Sequence, residues 1–299
     1  MGLLAAGAAI GCAEGQDPQP AAAATAATAQ FDRPICFQSY GMRREIEEDF
    51  AGTLKAVKAL GYDGIEMCSP NGNHYKEAGF GNLTALPPEE VKKQIADAGL
   101  ICKSAHFQSH EVLVDDPAKT ADYAAALGLT DLVMSGSGIS DEGAVDDFKR
   151  WGEQCNKVAE IVKAAGLRLG YHNHRVAPVL EGKPQYEHIM DVLDPDLVTM
   201  QFQFASIMDG YDIVYYLETY AGRYSSLHMH DWDPARKSNR PGRLGGIVPL
   251  GEGVVDWAAA LKAAMMSDIA DHGFIIEIET EEPLEGLRRS IDYLKTVAV

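Results

Sequence analysis

The sequence predicts a single α/β domain built as a (β/α)8 barrel, and three observations carry that expectation. Short apolar or β-branched runs alternate with longer segments of helical period, the alternation repeats eight times, and no Gly-x-Gly-x-x-Gly turn follows the first run. Alternation implies a parallel sheet with right-handed crossovers, and eight repeats suggest that the sheet closes on itself. The missing glycine turn weakens the competing open, doubly wound sheet. A chain of 299 residues with 46% hydrophobic content is long enough to bury one large core.

The units follow in order along the chain. PICFQSY, ending at Tyr40, precedes a helical segment over 44–60, and GIEMCS, opening at Gly64, precedes one over 87–98. LICKSAHF, from Leu100, is followed by 116–127, and DLVMSG, from Asp131, by 142–165. The second half continues with LRLGYHNH and a short helix at 185–193, then LVTMQFQF and 209–219. SSLHMHD with 255–266 and GFIIEIE with 283–297 complete the eight. Gly251, Gly253 and Asp256 read as a turn and N-cap opening the seventh helix.

The first 32 residues stand apart from that pattern. Residues 2–11 are uncharged, apolar and too short to span a bilayer, which matches the core of an export signal, and Cys12 follows where a bacterial lipoprotein is cleaved and lipidated. We therefore expect a signal-like segment at 1–12, a low-complexity tether at 13–32 and the barrel at 33–299, in a protein exported to the periplasm or anchored in the bacterial envelope through Cys12. An Ala-rich tail on a cytoplasmic protein is the alternative. Cys36, Cys68, Cys102 and Cys155 lack Cys-x-x-Cys spacing and read as apolar thiols without disulfides. A formal charge of −18 argues against nucleic acid and anionic membrane surfaces as partners and leaves a small molecule. An oligomer is compatible with the sequence.

Active sites of such barrels lie at the carboxyl ends of the strands, and there the sequence repeats one motif. Strand five ends with His172 and His174, six with Gln201 and Gln203, seven with His228 and His230, and eight with Glu277 and Glu279. A strand alternates its faces with period 2, so each pair shares a face while Phe202, Phe204, Leu227, Met229, Ile276 and Ile278 occupy the other. Four buried polar pairs are costly unless they bind one another or a ligand, which points to a metal or a polar substrate.

From about residue 33 onward the chain resembles the xylose-isomerase-like barrel superfamily of sugar phosphate isomerases and epimerases, on the stretches GYDGIEM, GLICKSAHF, GLRLGYHNH, SSLHMHDWD, VPLGEGVVDW and IIEIE. The resemblance implies a divalent metal held at the ends of strands five to eight by Glu, Asp, His and Glu, positions that fall here on His172, Gln203, His228 and Glu277. Two of these depart from that pattern. His172 within YHNH is similar to a branch that includes inosose-dehydratase-like proteins, and Gln203 replaces a carboxylate by an amide. One carboxylate instead of three disfavours Mg and favours Mn, Co, Fe or Zn.

The resemblance further implies proton transfer beside a carbonyl, with the metal polarising the oxygen. Glu66, His106, Glu277 and Glu279 are the candidate catalytic groups, although Glu66 also reads as a salt-bridge partner and His106 as a hydrogen-bonded core histidine. His174, His230, Trp232 and Arg243 are candidates for binding substrate. Trp232 suits a sugar face, and Arg243 lies with Arg236, Lys237 and Arg240 in the long loop after strand seven, where solvated charge is the plainer reading. Three functions remain open: a metal-dependent sugar isomerase or epimerase, a keto-sugar lyase or dehydratase, and a sugar-binding protein on an inactive barrel.

Overall fold

The strands are only three to six residues long, and all but the last carry polar residues toward the axis and apolar ones toward the helices. They are β1 Cys36–Gln38, β2 Gly64–Cys68, β3 Ser104–Gln108, β4 Asp131–Ser135, β5 Arg168–His172, β6 Val198–Gln203, β7 Tyr224–Met229 and β8 Phe274–Ile276. The computed structural model describes residues 30–68, 75–140, 142–236 and 245–299. Each strand pairs in parallel with the next, and β8 closes on β1 through Cys36 opposite Ile275 and Phe37 opposite Ile276. The expected (β/α)8 barrel is the observed fold. The signal-like segment, Cys12 and nearly all of the tether lie outside the described residues, as do Lys237, Arg240 and Arg243.

The helices begin and end where local chemistry requires. They are α1 Phe50–Leu60, α2 Pro88–Asp97, α3 Pro117–Leu127, α4 Val145–Ala164, α5 Gln185–Val192, α6 Ile213–Thr219, α7 Trp257–Met265 and α8 Pro283–Leu294. Asp49, Asp116, Asp212 and Asp256 accept hydrogen bonds from the first-turn amides of α1, α3, α6 and α7. Gly61 and Gly128 end α1 and α3 in the left-handed conformation, at φ of 105° and 90°. No helix among the described residues is long and apolar enough to cross a membrane.

Several boundaries differ from the sequence reading: β5 stops at His172, short of His174, and α6 starts at Ile213 and not at 209. The segment 44–60 is not one helix, because Asp49 turns extended to cap α1 and leaves Arg43–Glu48 as a separate short helix. Strand eight leaves the ladder after Ile276, although the Glu277 amide still donates to Met229 O at 3.0 Å. Beyond it the chain meets the turn after β1. A Cβ on Gly41 would lie 1.9 Å from the Ile278 carbonyl oxygen, so only glycine admits that approach.

Ile65, Met67, Ala105, Phe107, Tyr171, Phe202, Leu227 and Met229 pack outward into one apolar cluster with the helices. The amino-terminal end of the barrel is closed by Asp131, which accepts from His272 Nε2 at 2.8 Å and pairs with Arg168 at 2.7 Å, linking β4 to the start of β8. Burial opposes its charge, but the His272 and Arg168 contacts prevail and hold the carboxyl below its ordinary value. Phe31 docks against the start of β8 and the carboxyl-terminal segment, its amide donating to Val297 O at 3.1 Å and its ring edge-on to Phe274. Among the described residues, pairing thus already includes Phe31, before Arg33. Cys36, Cys68 and Cys155 are buried, Cys102 is half-buried, and all four are free.

Candidate active site

Two tiers of polar side chains fill the barrel axis toward its carboxyl end. The lower tier is centred on Glu66, which β2 places fully inside the barrel between apolar Ile65 and Met67. Gln38 Oε1 accepts from the Tyr40 amide at 3.0 Å, and a backbone amide can only donate, so Gln38 must turn its Nε2 toward Glu66. That contact is 2.6 Å long. Gln201 Nε2 donates to the other Glu66 oxygen at 2.7 Å and to Ser226 Oγ at 2.9 Å, leaving Gln201 Oε1 to accept from His106 Nε2 at 2.7 Å. His228 Nε2 completes the ring at 2.5 Å from Glu66 Oε2. Every polar group named here has a partner, which is the condition for burying them cheaply.

The upper tier has the opposite character. Gln203 Nε2 donates to Glu277 Oε2 at 2.6 Å, but Gln203 Oε1 is buried without a hydrogen-bond partner among the described residues. The same holds for His172 Nδ1, for His228 Nδ1 and for both ring nitrogens of His230. Glu277 Oε2 stands 3.4 Å from His228 Nδ1 and 4.0 Å from His230 Nδ1. The rings of His106, His172 and His228 pack together with centroids 4.4 to 4.9 Å apart. His174 is exposed at the rim with its ring 5.0 Å from that of His172. Glu279 is half-buried near the rim.

Charge follows from these contacts. Burial opposes ionisation of Glu66, yet His106, His228 and the bonds from His228 and Gln201 hold its carboxyl at about 2. Burial would lower His228, but Glu66 and Glu277 on its two sides raise it to about 9. Glu277 is held well below the carboxylate range by His228, His230 and Gln203 against the opposing effect of burial. Burial lowers His106, His172 and His230, the last to about 4, so these rings are neutral and offer lone pairs.

The donors fit a divalent ion. Gln203 Nε2 and His228 Nδ1 lie 2.6 and 3.4 Å from the Glu277 carboxylate, and the His172 ring packs against that of His228 with centroids 4.4 Å apart, so unpartnered His172 Nδ1, Gln203 Oε1 and His228 Nδ1 together with Glu277 make a mixed nitrogen and oxygen set with one negative charge. A proton on His228 Nδ1 and a cation compete for the same place beside Glu277. Ligand atoms of His106, His172 and His228 also all lie within 4.8 Å of one another, so a three-histidine set overlaps the first at two residues.

The loop after β7 is anchored by Asp231. Its buried carboxylate accepts from the amides of Trp232, Gly251 and Val255 at 2.8, 3.0 and 3.0 Å, and from Trp257 Nε1 at 2.9 Å. Trp232 is half-buried, and its Nε1 donates to Gly245 O at 3.1 Å. Sequence reasoning gave no role to Gln38, Ser226 or Asp231, and counted Gln201 only among the paired inward residues. Gln38 ends β1 as Gln203 ends β6, and that position was the available signal.

The family model described as Xylose isomerase-like TIM barrel matches residues 54–297. An inosose dehydratase from Clostridium perfringens is 24% identical over 257 residues, covering 74% of this chain and 85% of that protein. A sugar phosphate isomerase/epimerase from Parabacteroides distasonis, known from its crystal structure, superposes with a TM-score of 0.71 at 26% identity, covering 92% of this chain and 98% of the other. A xylose isomerase-like TIM barrel protein from Mycobacterium smegmatis, solved in complex with magnesium, shares the fold with a TM-score of 0.59 at 14% identity, over 88% of this chain and 95% of its own.

Proposed function

This chain belongs to the xylose isomerase-like TIM barrel family, and we propose that it is a metal-dependent enzyme of the isomerase/epimerase type that removes a proton beside a carbonyl of a sugar or keto-sugar. The observation that carries the reading is the set of unpartnered donors on His172, Gln203 and His228, with Gln203 and His228 beside Glu277 and the His172 ring against that of His228. These four would hold a divalent ion, with Mn, Co, Fe or Zn ahead of Mg because two donors are imidazoles and only one is a carboxylate. Such an ion supplies Lewis-acid polarisation of a carbonyl oxygen when bound. We assign proton transfer to His174, whose ring lies 5.0 Å from that of His172, and to half-buried Glu279, two residues beyond Glu277. Glu66 cannot serve directly, since both its oxygens are engaged below the site. The Asp231-anchored loop, with Trp232, would cover the sugar.

A second reading, keto-sugar dehydration, is favoured by His172 in YHNH and by the inosose dehydratase relative. A panel of keto-sugars in heavy water with Mn²⁺-, Co²⁺- or Zn²⁺-loaded protein tests both. Solvent deuterium appearing beside the carbonyl, with turnover falling at least about 100-fold in Glu277→Gln, is the expected result. Loss of a hydroxyl from the product selects the dehydratase. Sugar binding with neither exchange nor conversion leaves a binding protein and refutes the enzyme. We also propose export with a tether at Cys12; native full-length protein found in the cytoplasm with residues 1–12 intact refutes it.

A further inference from the structure

We infer that Glu66 is a positioning residue that fixes which ring nitrogen of His228 is offered to a cation, an inference that rests on the metal site proposed above. The argument starts from one backbone amide. Tyr40 N–H can only donate, so it fixes Gln38 Oε1 and turns Gln38 Nε2 onto Glu66 Oε2. The same oxygen lies 2.5 Å from His228 Nε2, and the other receives Gln201 Nε2. With donors converging on both oxygens, the carboxylate is the acceptor in each contact, and His228 must carry hydrogen on Nε2. The nitrogen that can give up its proton to a cation is then Nδ1, which faces Glu277 Oε2 at 3.4 Å and has no hydrogen-bond partner among the described residues.

A carboxylate behind a histidine is how many metal sites orient a ligand ring and strengthen it as a donor. Here the device is locked from behind by Gln38 and Gln201, so the ring cannot turn over without breaking the lower tier. Metal thus meets His228 through Nδ1, while Glu66 never touches metal or substrate.

The test uses the full-length protein labelled with ¹⁵N-histidine and titrated with Zn²⁺ for spectra and Co²⁺ for affinity. In zinc-loaded wild type, two-bond ¹H–¹⁵N correlations are expected to show His228 protonated at Nε2 and metal-bound at Nδ1. Glu66→Gln keeps the shape but puts an amide donor among donors, and Co²⁺ affinity is expected to fall about 10- to 100-fold with an altered visible absorption spectrum. Zinc on His228 Nε2 in wild type overturns the inference without any variant. So does Glu66→Gln that binds Co²⁺ as tightly, with the same spectrum, as wild type. Wild type that binds neither ion overturns the metal site itself and this inference with it.

Discussion

The two tiers of the barrel axis are built from the same residue types, and only their hydrogen bonding tells them apart. Glu66, Gln201 and His106 below, and Glu277, Gln203 and His172 above, are all buried. Below, each carboxylate oxygen and each amide group of the ring finds a partner; above, several nitrogens and an oxygen have none among the described residues. Burial alone therefore does not mark a functional residue. A satisfied network contributes rigidity, whereas unmet donors held rigidly in one place mark where a ligand completes the structure. His228 joins the tiers, with one nitrogen in each.

The sharpest way to break this contrast is Gln201→Leu. The change strips Glu66 Oε1 of its donor and leaves His106 Nε2 and Ser226 Oγ without their shared partner. Removing one member of a buried charged network costs about 3–5 kcal/mol, so the urea midpoint is expected to fall steeply even without metal. A loss under about 1 kcal/mol would mean that the lower tier is not holding the barrel.

Asp231→Asn extends the same rule to the loop, with a smaller effect. The carboxylate accepts four hydrogen bonds, and an amide would turn an NH₂ group toward N–H donors at one of its two positions. We expect about 2 kcal/mol of destabilisation. Faster proteolytic cleavage within the segment from Trp232 to Asp256 should accompany it. Unchanged cleavage would show that the loop is held elsewhere.

Much of this contrast was legible in the sequence, and the rest fails to be for a definable reason. Period-2 alternation exposes His172, Gln203, His228 and Glu277 as inward-facing, because that depends on local backbone geometry alone. The eight βα units follow from the same local signals. Whether an inward residue is satisfied depends on the level at which strands across the barrel meet, which stagger and closure decide. Glu66 on β2 reaches Gln201 on β6 and His228 on β7, contacts spanning 135 and 162 positions. Glu66 therefore reads as a candidate base in sequence and as an oriented acceptor in the structure. The breaks at Asp49 and after Ile276 escaped for a related reason: a single cap or a close backbone approach overrides the periodicity.

The smallest expected change in stability is the most informative about the upper tier. His230 is completely buried, and neither of its ring nitrogens has a hydrogen-bond partner among the described residues. An unpaired buried polar group costs about 1–3 kcal/mol, which His230→Leu would relieve, while the imperfect fit of a branched side chain in place of a flat ring costs a similar amount. The two nearly cancel, so the metal-free variant is expected to unfold within about 1 kcal/mol of wild type. Turnover should nonetheless drop, because the ring lies 4.0 Å from Glu277 at the edge of the proposed site. A loss above about 3 kcal/mol would instead reveal a buried water or another partner on the His230 nitrogens. The upper tier would then be satisfied like the lower one, and its open donors would no longer argue for a bound ligand.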